Sequence, residues 1–347
     1  MTRLTDLWKG TIFLLLIGIE IALFLVAYYL HLIIHEAGHL VAGLISGYGF
    51  GSFRVGKLMF IKENGKIKIK KYAVAGTGGQ CLMVPPKMVD EKFPVIFYNL
   101  GGVLMNLLFT VAFVLLAKAF ERGTFGYAFS SLMALAGFII ALTNGIPLKL
   151  GMINNDGSNA RELYKNEEAM RTFHNQFMTI AALGDGKRLC EMPEEWFFMP
   201  SEAGLKNSIT VSGAVFRVNW LLDNGKQEEA LELINYLLVA DSALIGLHRC
   251  LLICDKITIL LLQGGDDERV INMLSDKQLE VFFKQMKNNI SVVRTQYAIA
   301  LLLDNDENKA KMLRDHFEKC GKTHPYPSEL KVEREMMDMM DKRAENK

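Results

Sequence analysis

Residues 29–46 read YLHLIIHEAGHLVAGLIS, and the element His35-Glu36-Ala37-Gly38-His39 lies at their centre. Between Lys9 and Arg54 the only charged side chains are Glu20 and Glu36. A carboxylate at membrane depth is costly and marks a functional position. Residues i and i+4 of a helix share one face about 6 Å apart, so His35 and His39 aim a ring nitrogen each at one ion, the spacing that holds zinc. Glu36, one position on, suits a group that touches the metal-bound water. Zinc lowers the pKa of that water to about 7, and a neighbouring carboxylate takes its proton as it attacks a carbonyl. The plain alternative is an amphipathic helix with satisfied histidines, but such a helix is not apolar on every side. His31 prolongs the stripe. Eight helical residues, about 12 Å, separate it from His39, which predicts a supporting or packing role.

Working outward, two more stretches carry no charge, Val95 to Ala117 and Gly123 to Leu148. Each is long enough to cross about 30 Å of hydrocarbon. The first stretch, Thr11 to Ser46, is longer than one crossing needs, which predicts a tilted or projecting helix. Its length, Glu20 and the lack of a small-residue cleavage pattern exclude a signal peptide. The expected spans are about 11–46, 95–118 and 124–148. Residues 51–93 carry nine Lys or Arg against three acids, whereas the connection at Glu121 and Arg122 is short and nearly neutral. The positive-inside rule puts 51–93 and everything after Leu148 in the cytosol, with the N-terminus outside. A bacterial cell membrane is the expected location.

In the basic connection, Lys57 to Ile61 and Lys66 to Tyr72 partly alternate around Glu63-Asn64-Gly65, predicting a tight hairpin within about 54–83. Ala75-Gly76-Thr77-Gly78-Gly79-Gln80-Cys81-Leu82-Met83 then reads as a glycine-rich apolar loop, able to re-enter a membrane only if shielded by protein. Two readings stay open: a strand edge that pairs with an unwound substrate, and a surface hairpin with solvated lysines.

Taken together, these features resemble the site-2 protease family of intramembrane zinc metalloproteases. The likeness rests on His35-Glu36-Ala37-Gly38-His39, on Gly101-Gly102-Val103-Leu104-Met105-Asn106, similar to the family's Gly-x-x-x-Asn element, and on Asn144-Gly145-Ile146-Pro147 followed by Asp156-Gly157, similar to its Asn-x-x-Pro and Asp-Gly signature. It covers roughly residues 10–160. The resemblance implies Glu36 as the catalytic base, Zn2+ held by His35, His39 and Asp156, and Asn106 and Asn144 near substrate or oxyanion. It departs from the family at one place. Pro147 and Asp156 are nine apart where about five is usual, with Asn154-Asn155 at an expected apolar pair.

From about Ser158 charges become frequent. Residues 158–205 read as a helical connector and 206–342 as amphipathic helices, with a disordered tail from 343. Leu221 to Leu231 resembles the turn of a tetratricopeptide repeat, and Leu302-Leu303-Asp304-Asn305 echoes it 81 residues later, not a multiple of 34. This predicts a degenerate array of helix pairs, either holding a protein or peptide partner or serving as structure alone. The net charge of +1 gives no argument for nucleic acid, and Cys81, Cys190, Cys250, Cys254 and Cys320 show no zinc-ribbon spacing.

The expected architecture is mainly α: a polytopic membrane protein with about three core transmembrane helices and a membrane-associated β-hairpin over residues 1–157, plus a cytosolic repeat-like helical domain. The expected activity is an intramembrane zinc endopeptidase acting on membrane-spanning or apolar peptides in the lipid bilayer. Two rivals remain: a maturation protease for a small exported peptide, and a catalytically relict membrane-anchored scaffold. Intact Glu36 argues against the scaffold.

Overall fold

The computed structural model describes residues 2–73, 77–150, 153–264 and 267–346. The protein is mainly helical with one small antiparallel sheet and a two-stranded hairpin. Helix α1 (Thr2–Ile45), strands β1 (Gly49–Val55), β2 (Leu58–Glu63), β3 (Lys66–Lys71) and β4 (Gly79–Val84), and helices α2 (Val95–Lys118) and α3 (Phe125–Gly145) come first. The short strands β5 (Lys149–Leu150) and β6 (Ile153–Asn154) lead into α4 (Asp156–Leu163) and α5 (Glu167–Gly184). The remainder is α6 (Ser208–Asp223), α7 (Gln227–Val239), α8 (Gly246–Gln263), α9 (Asp267–Leu274), α10 (Lys277–Gln285), α11 (Ile290–Ala298), α12 (Glu307–Gly321) and α13 (Pro327–Glu345).

Among the described residues three helices are long and apolar enough to cross a membrane: Thr11–Ile45, Val95–Lys118 and Phe125–Gly145. They pack as a bundle in which Ala27, Met133 and Ala136 form a buried seam. At 44 residues, α1 is about 66 Å long, twice what a bilayer core needs. Its apolar residues from Ile12 to Ile21 are exposed, so the first half stands clear of the other two helices. Deeper in the bundle the backbones nearly touch. A Cβ on Gly38 would lie 2.3 Å from the Gly101 carbonyl oxygen, and one on Gly101 would lie 2.5 Å from that of Gly38. Small residues at such a crossing let helices approach where no larger side chain fits.

The sheet runs β3-β2-β1-β4, every pair antiparallel. The hairpin expected at Glu63-Asn64-Gly65 is present, with positive φ at Asn64 (48°) and Gly65 (76°), the conformation a two-residue turn of the primed type requires. The period of two in β2 buries Met59, Ile61 and Glu63. The glycine-rich stretch is not a loop throughout. From Gly79 it is the edge strand β4, paired along β1 from Val55↔Gly79 to Gly49↔Val84, because its backbone groups find the unpaired side of β1. Ala75 and Gly76 of that stretch lie outside the described residues.

The segment expected as a connector contributes core. Phe173 and Phe177 of α5 pack with Tyr48, Cys81, Met83 and Tyr98, closing one face of the sheet. Beyond it, α6 turns through Gly225 (φ 73°) into α7, the helix–turn–helix anticipated at Leu221 to Leu231. Cys250 and Cys254 are core thiols, and all five cysteines are free. The C-terminal helix continues to Glu345, past the expected start of a disordered tail at residue 343. Burial of Met340 and a bond from the Arg343 guanidinium to the Gln263 carbonyl hold this last turn.

Candidate metal centre

His35 and His39 lie on one face of α1, as their spacing requires, and both are buried. Their Nε2 atoms are 3.2 Å apart. Asp156, first residue of α4, brings Oδ2 to 2.9 Å from His35 Nε2 and 3.4 Å from His39 Nε2. Among the described residues, these three form the group whose candidate ligand atoms lie close enough together to hold a metal ion.

What the other ring nitrogens do decides the chemistry. His39 Nδ1 donates to the backbone carbonyl of Tyr98 at 2.9 Å. Asn106 Nδ2 donates to the carbonyl of His31 at 3.1 Å and to His31 Nδ1 at 2.9 Å. A carbonyl only accepts, so the amide orientation is set and Asn106 Oδ1 accepts from His35 Nδ1 at 2.8 Å. Both histidines therefore carry a proton on Nδ1, and in the neutral rings their Nε2 lone pairs face each other and a carboxylate oxygen. That Asp156 oxygen is enclosed and has no hydrogen-bond donor, although it sits at ion-pair distance from both rings. Three electron-pair donors facing one another repel unless a cation lies among them.

The spacing fits zinc. Ligand bonds of about 2.0–2.1 Å in a tetrahedron separate neighbouring ligand atoms by roughly 3.3–3.4 Å, against the observed 2.9, 3.2 and 3.4 Å. Two neutral imidazoles and one carboxylate, each imidazole held by a hydrogen bond at its far nitrogen, form a donor set suited to that ion.

Asp156 reaches the site in spite of its nine-residue distance from Pro147. The extra chain folds back on itself as β5 and β6, with Lys149↔Asn154 and Leu150↔Ile153 paired. Asn155, at the expected apolar position, is the clip. Its Oδ1 caps α4 through Ser158 N (2.9 Å), while its Nδ2 donates to the carbonyls of Thr143 (2.7 Å) and Ile146 (2.6 Å) at the end of α3. Gly157 permits the contact, since a Cβ there would lie 2.2 Å from the Gly145 carbonyl oxygen.

Glu36 is buried next to the group, against the first residue of β4. A Cβ on Gly79 would lie 2.3 Å from Glu36 Oε1. Gly102 makes equivalent room for the His35 ring. The other two expected site residues are placed differently from each other. Asn106 is fully buried, and its amide is spent on His35 and His31, so it orients a ligand ring and does not line an open cleft. Asn144 donates to the Ile140 carbonyl of its own helix at 3.0 Å, and its backbone carbonyl backs Gly157. His31 is the far post of the Asn106 amide, with Gly137 leaving space for its ring.

Sequence reasoning missed Arg54, counted there among the cytosolic charges. It is 1% exposed. It donates to the carbonyls of Gly56 (2.9 Å) and Gly79 (3.2 Å) and to the Thr77 hydroxyl, pinning the start of β4 beside Glu36. Burial lowers its pKa, and the negative charge of Glu36 opposes that shift. Tyr98 was missed as well. Its carbonyl holds His39, its hydroxyl donates to the Cys81 carbonyl at 2.5 Å, and its ring stacks on Tyr48, joining α1, α2 and β4 at one point. Any residue supplies a carbonyl, so no side-chain pattern announces that contact.

Comparison with protein-family models, with curated proteins and with solved structures returns no match to this chain.

Proposed function

We propose that the chain is a zinc endopeptidase of the site-2 protease type, cutting peptide bonds within or beside membrane-spanning segments. The observation that carries this reading is the convergence of His35 Nε2, His39 Nε2 and Asp156 Oδ2, with the Nδ1 protons committed to Asn106 and Tyr98. The motif likeness at His35–His39, Gly101–Asn106 and Asn144–Gly157 supports the family, and three apolar helices support the membrane setting. The excess of Lys and Arg in residues 51–93 favours a cytosolic sheet and helical region.

Zinc in this position would polarise a substrate carbonyl and make a water acidic enough to attack it. The remaining work falls to the chain's own side chains. A Glu36 carboxylate oxygen takes the proton as the water oxygen bonds to the carbonyl carbon. It returns that proton to the amide nitrogen as the C–N bond breaks. Helical backbone hides its carbonyls in hydrogen bonds, so the substrate must unwind. β4 is an outer strand of the sheet and begins beside Glu36, so an unwound substrate segment can lie alongside it.

The test is zinc content of detergent-purified protein, followed by cleavage of a panel of apolar helical peptides containing helix-breaking residues. About one zinc per chain is expected in the wild type and in Glu36→Gln, none in His35→Ala/His39→Ala, and a reduced level in Asp156→Ala. Cleavage is expected only in the wild type. A wild type that binds no zinc sinks the reading, and full zinc retention in Asp156→Ala removes the third ligand.

A further inference from the structure

A second site lies away from the membrane helices. Between α6, α8, α11 and α13 lies a half-open cavity of about 220 Å3. Two clusters share its walls, and each has more carboxylates than cations. Arg294, fully buried, meets Asp255 Oδ1 at 2.6 Å and Glu333 Oε2 at 3.1 Å. Arg188 meets Asp223 at 2.6 Å and Glu335 at 3.0 Å. Together the lining holds the carboxylates of Asp223, Asp255, Glu329 and Glu333 against two guanidinium groups, and no lysine. Four carboxylates against two guanidinium groups leave a formal excess of two negative charges, with Glu329 Oε2 2.9 Å from His324 Nε2. Burial pushes the carboxyls of Asp255 and Glu333 up, and the pull of Arg294 does not offset it.

Independently of that charge, two polar atoms there make no hydrogen bond. Ser328, 7% exposed, has a hydroxyl with no hydrogen bond. Glu333 Oε2 is enclosed and, although at ion-pair distance from Arg294, forms no hydrogen bond. Leu183, Val215, Leu251 and Val332 line the remaining wall, which suits a hydrocarbon stem carrying a charged head.

We propose that this cavity binds an alkylammonium group of a peptide, carried by a lysine side chain or by a free amino terminus, with Glu333 and Ser328 as its acceptors. The rim joins the sheet: Tyr72, just beyond β3, lines the cavity and packs edge-on to His324, and Lys70 Nζ donates to the Pro325 carbonyl at 3.0 Å. The ligand would therefore sit at the junction of the helical region and the sheet that carries β4.

The experiment is calorimetric titration of full-length, detergent-purified protein with three probes: Nα-acetyl-lysine methylamide, leucinamide and the neutral Nα-acetyl-norleucine methylamide. Saturable binding of at least one ammonium probe is expected, with none of the neutral probe. Glu333→Gln should weaken it tenfold or more, and Ser328→Val at least threefold. Binding of the lysine probe alone assigns the side chain, and of leucinamide alone the amino terminus. Three results overturn the proposal: no ammonium binding to cooperatively melting wild type, neutral binding of equal strength, or wild-type affinity in both variants. If Glu333→Gln fails to fold, Ser328→Val alone decides. Stripping metal with a chelator should leave this binding unchanged, so the zinc reading and this one fail separately.

Discussion

Removing the amide that steers His35 should weaken metal binding without removing a ligand. In Asn106→Ala the His35 Nδ1–H loses its only acceptor, 2.8 Å away in a position with no solvent access, and His31 Nδ1 loses its donor. Stranding one buried polar group costs about 1–3 kcal/mol. The ring is also freed to place its proton on Nε2, where it would block the ion. Loss of such an outer partner typically lowers metal affinity by about 10- to 100-fold, or about 1.4–2.7 kcal/mol. The two scales agree, so a drop of this size is expected. Asn106→Asp keeps an acceptor for His35 and should bind within a few-fold of wild type, although its link to the His31 carbonyl is lost. The assay is competition against a chromophoric zinc chelator at fixed pH and detergent, with thermal melting as the folding control. Affinity of Asn106→Ala within twofold of wild type, in a protein that melts normally, would refute the argument. So would equal losses in both variants.

Other consequences are measurable in the same preparation. Gly157→Ala adds a methyl 2.2 Å from the Gly145 carbonyl and must push Asp156 from the site; its zinc affinity should fall to that of Asp156→Ala, and wild-type affinity would contradict the packing. Arg54→Met leaves the Gly56 and Gly79 carbonyls without their buried donor. A stability loss on the order of 3 kcal/mol is expected, with faster proteolysis near residues 77–79 but zinc content retained. His248 is held at a pKa of about 4 by burial, below the unfolded value of about 6.5. The unfolded chain therefore takes up its proton first, so this stability is complete above pH 6.5 and is lost as pH falls from there towards 4. Between pH 7 and pH 5 the loss is about 2 kcal/mol at most, because the ring is partly accessible. Melting in chelator should show a smaller acid shift for His248→Leu than for wild type, and equal shifts would dismiss it.

Much of the N-terminal half was legible in the sequence. The uncharged runs marked the three apolar helices, the i, i+4 histidines marked one helix face, and Asn64-Gly65 marked the turn between β2 and β3. Each is a local rule, written in periodicity or in the conformational preference of one or two residues. The third member of the metal group was suggested by likeness of motif, and its unusual spacing stood against it. Only the pairing of β5 with β6 and the Asn155 clip show how a longer connection still delivers Asp156.

The remaining features belong to the tertiary structure because they depend on partners far apart in the chain. Arg54 reads as one more surface cation until β1 and β4 pair and enclose it. Asn106 reads as a substrate group until α1 and α2, brought together by Gly38 and Gly101, place its amide between two histidines 71 and 75 residues away. The carbonyl that fixes His39 belongs to a backbone atom common to every residue type. The sequence by itself determined which residues were candidate ligands and which segments were apolar enough to span. Which nitrogen of each histidine is free, and what it faces, was decided by packing, because a tautomer is set by the hydrogen bond at the opposite side of the ring.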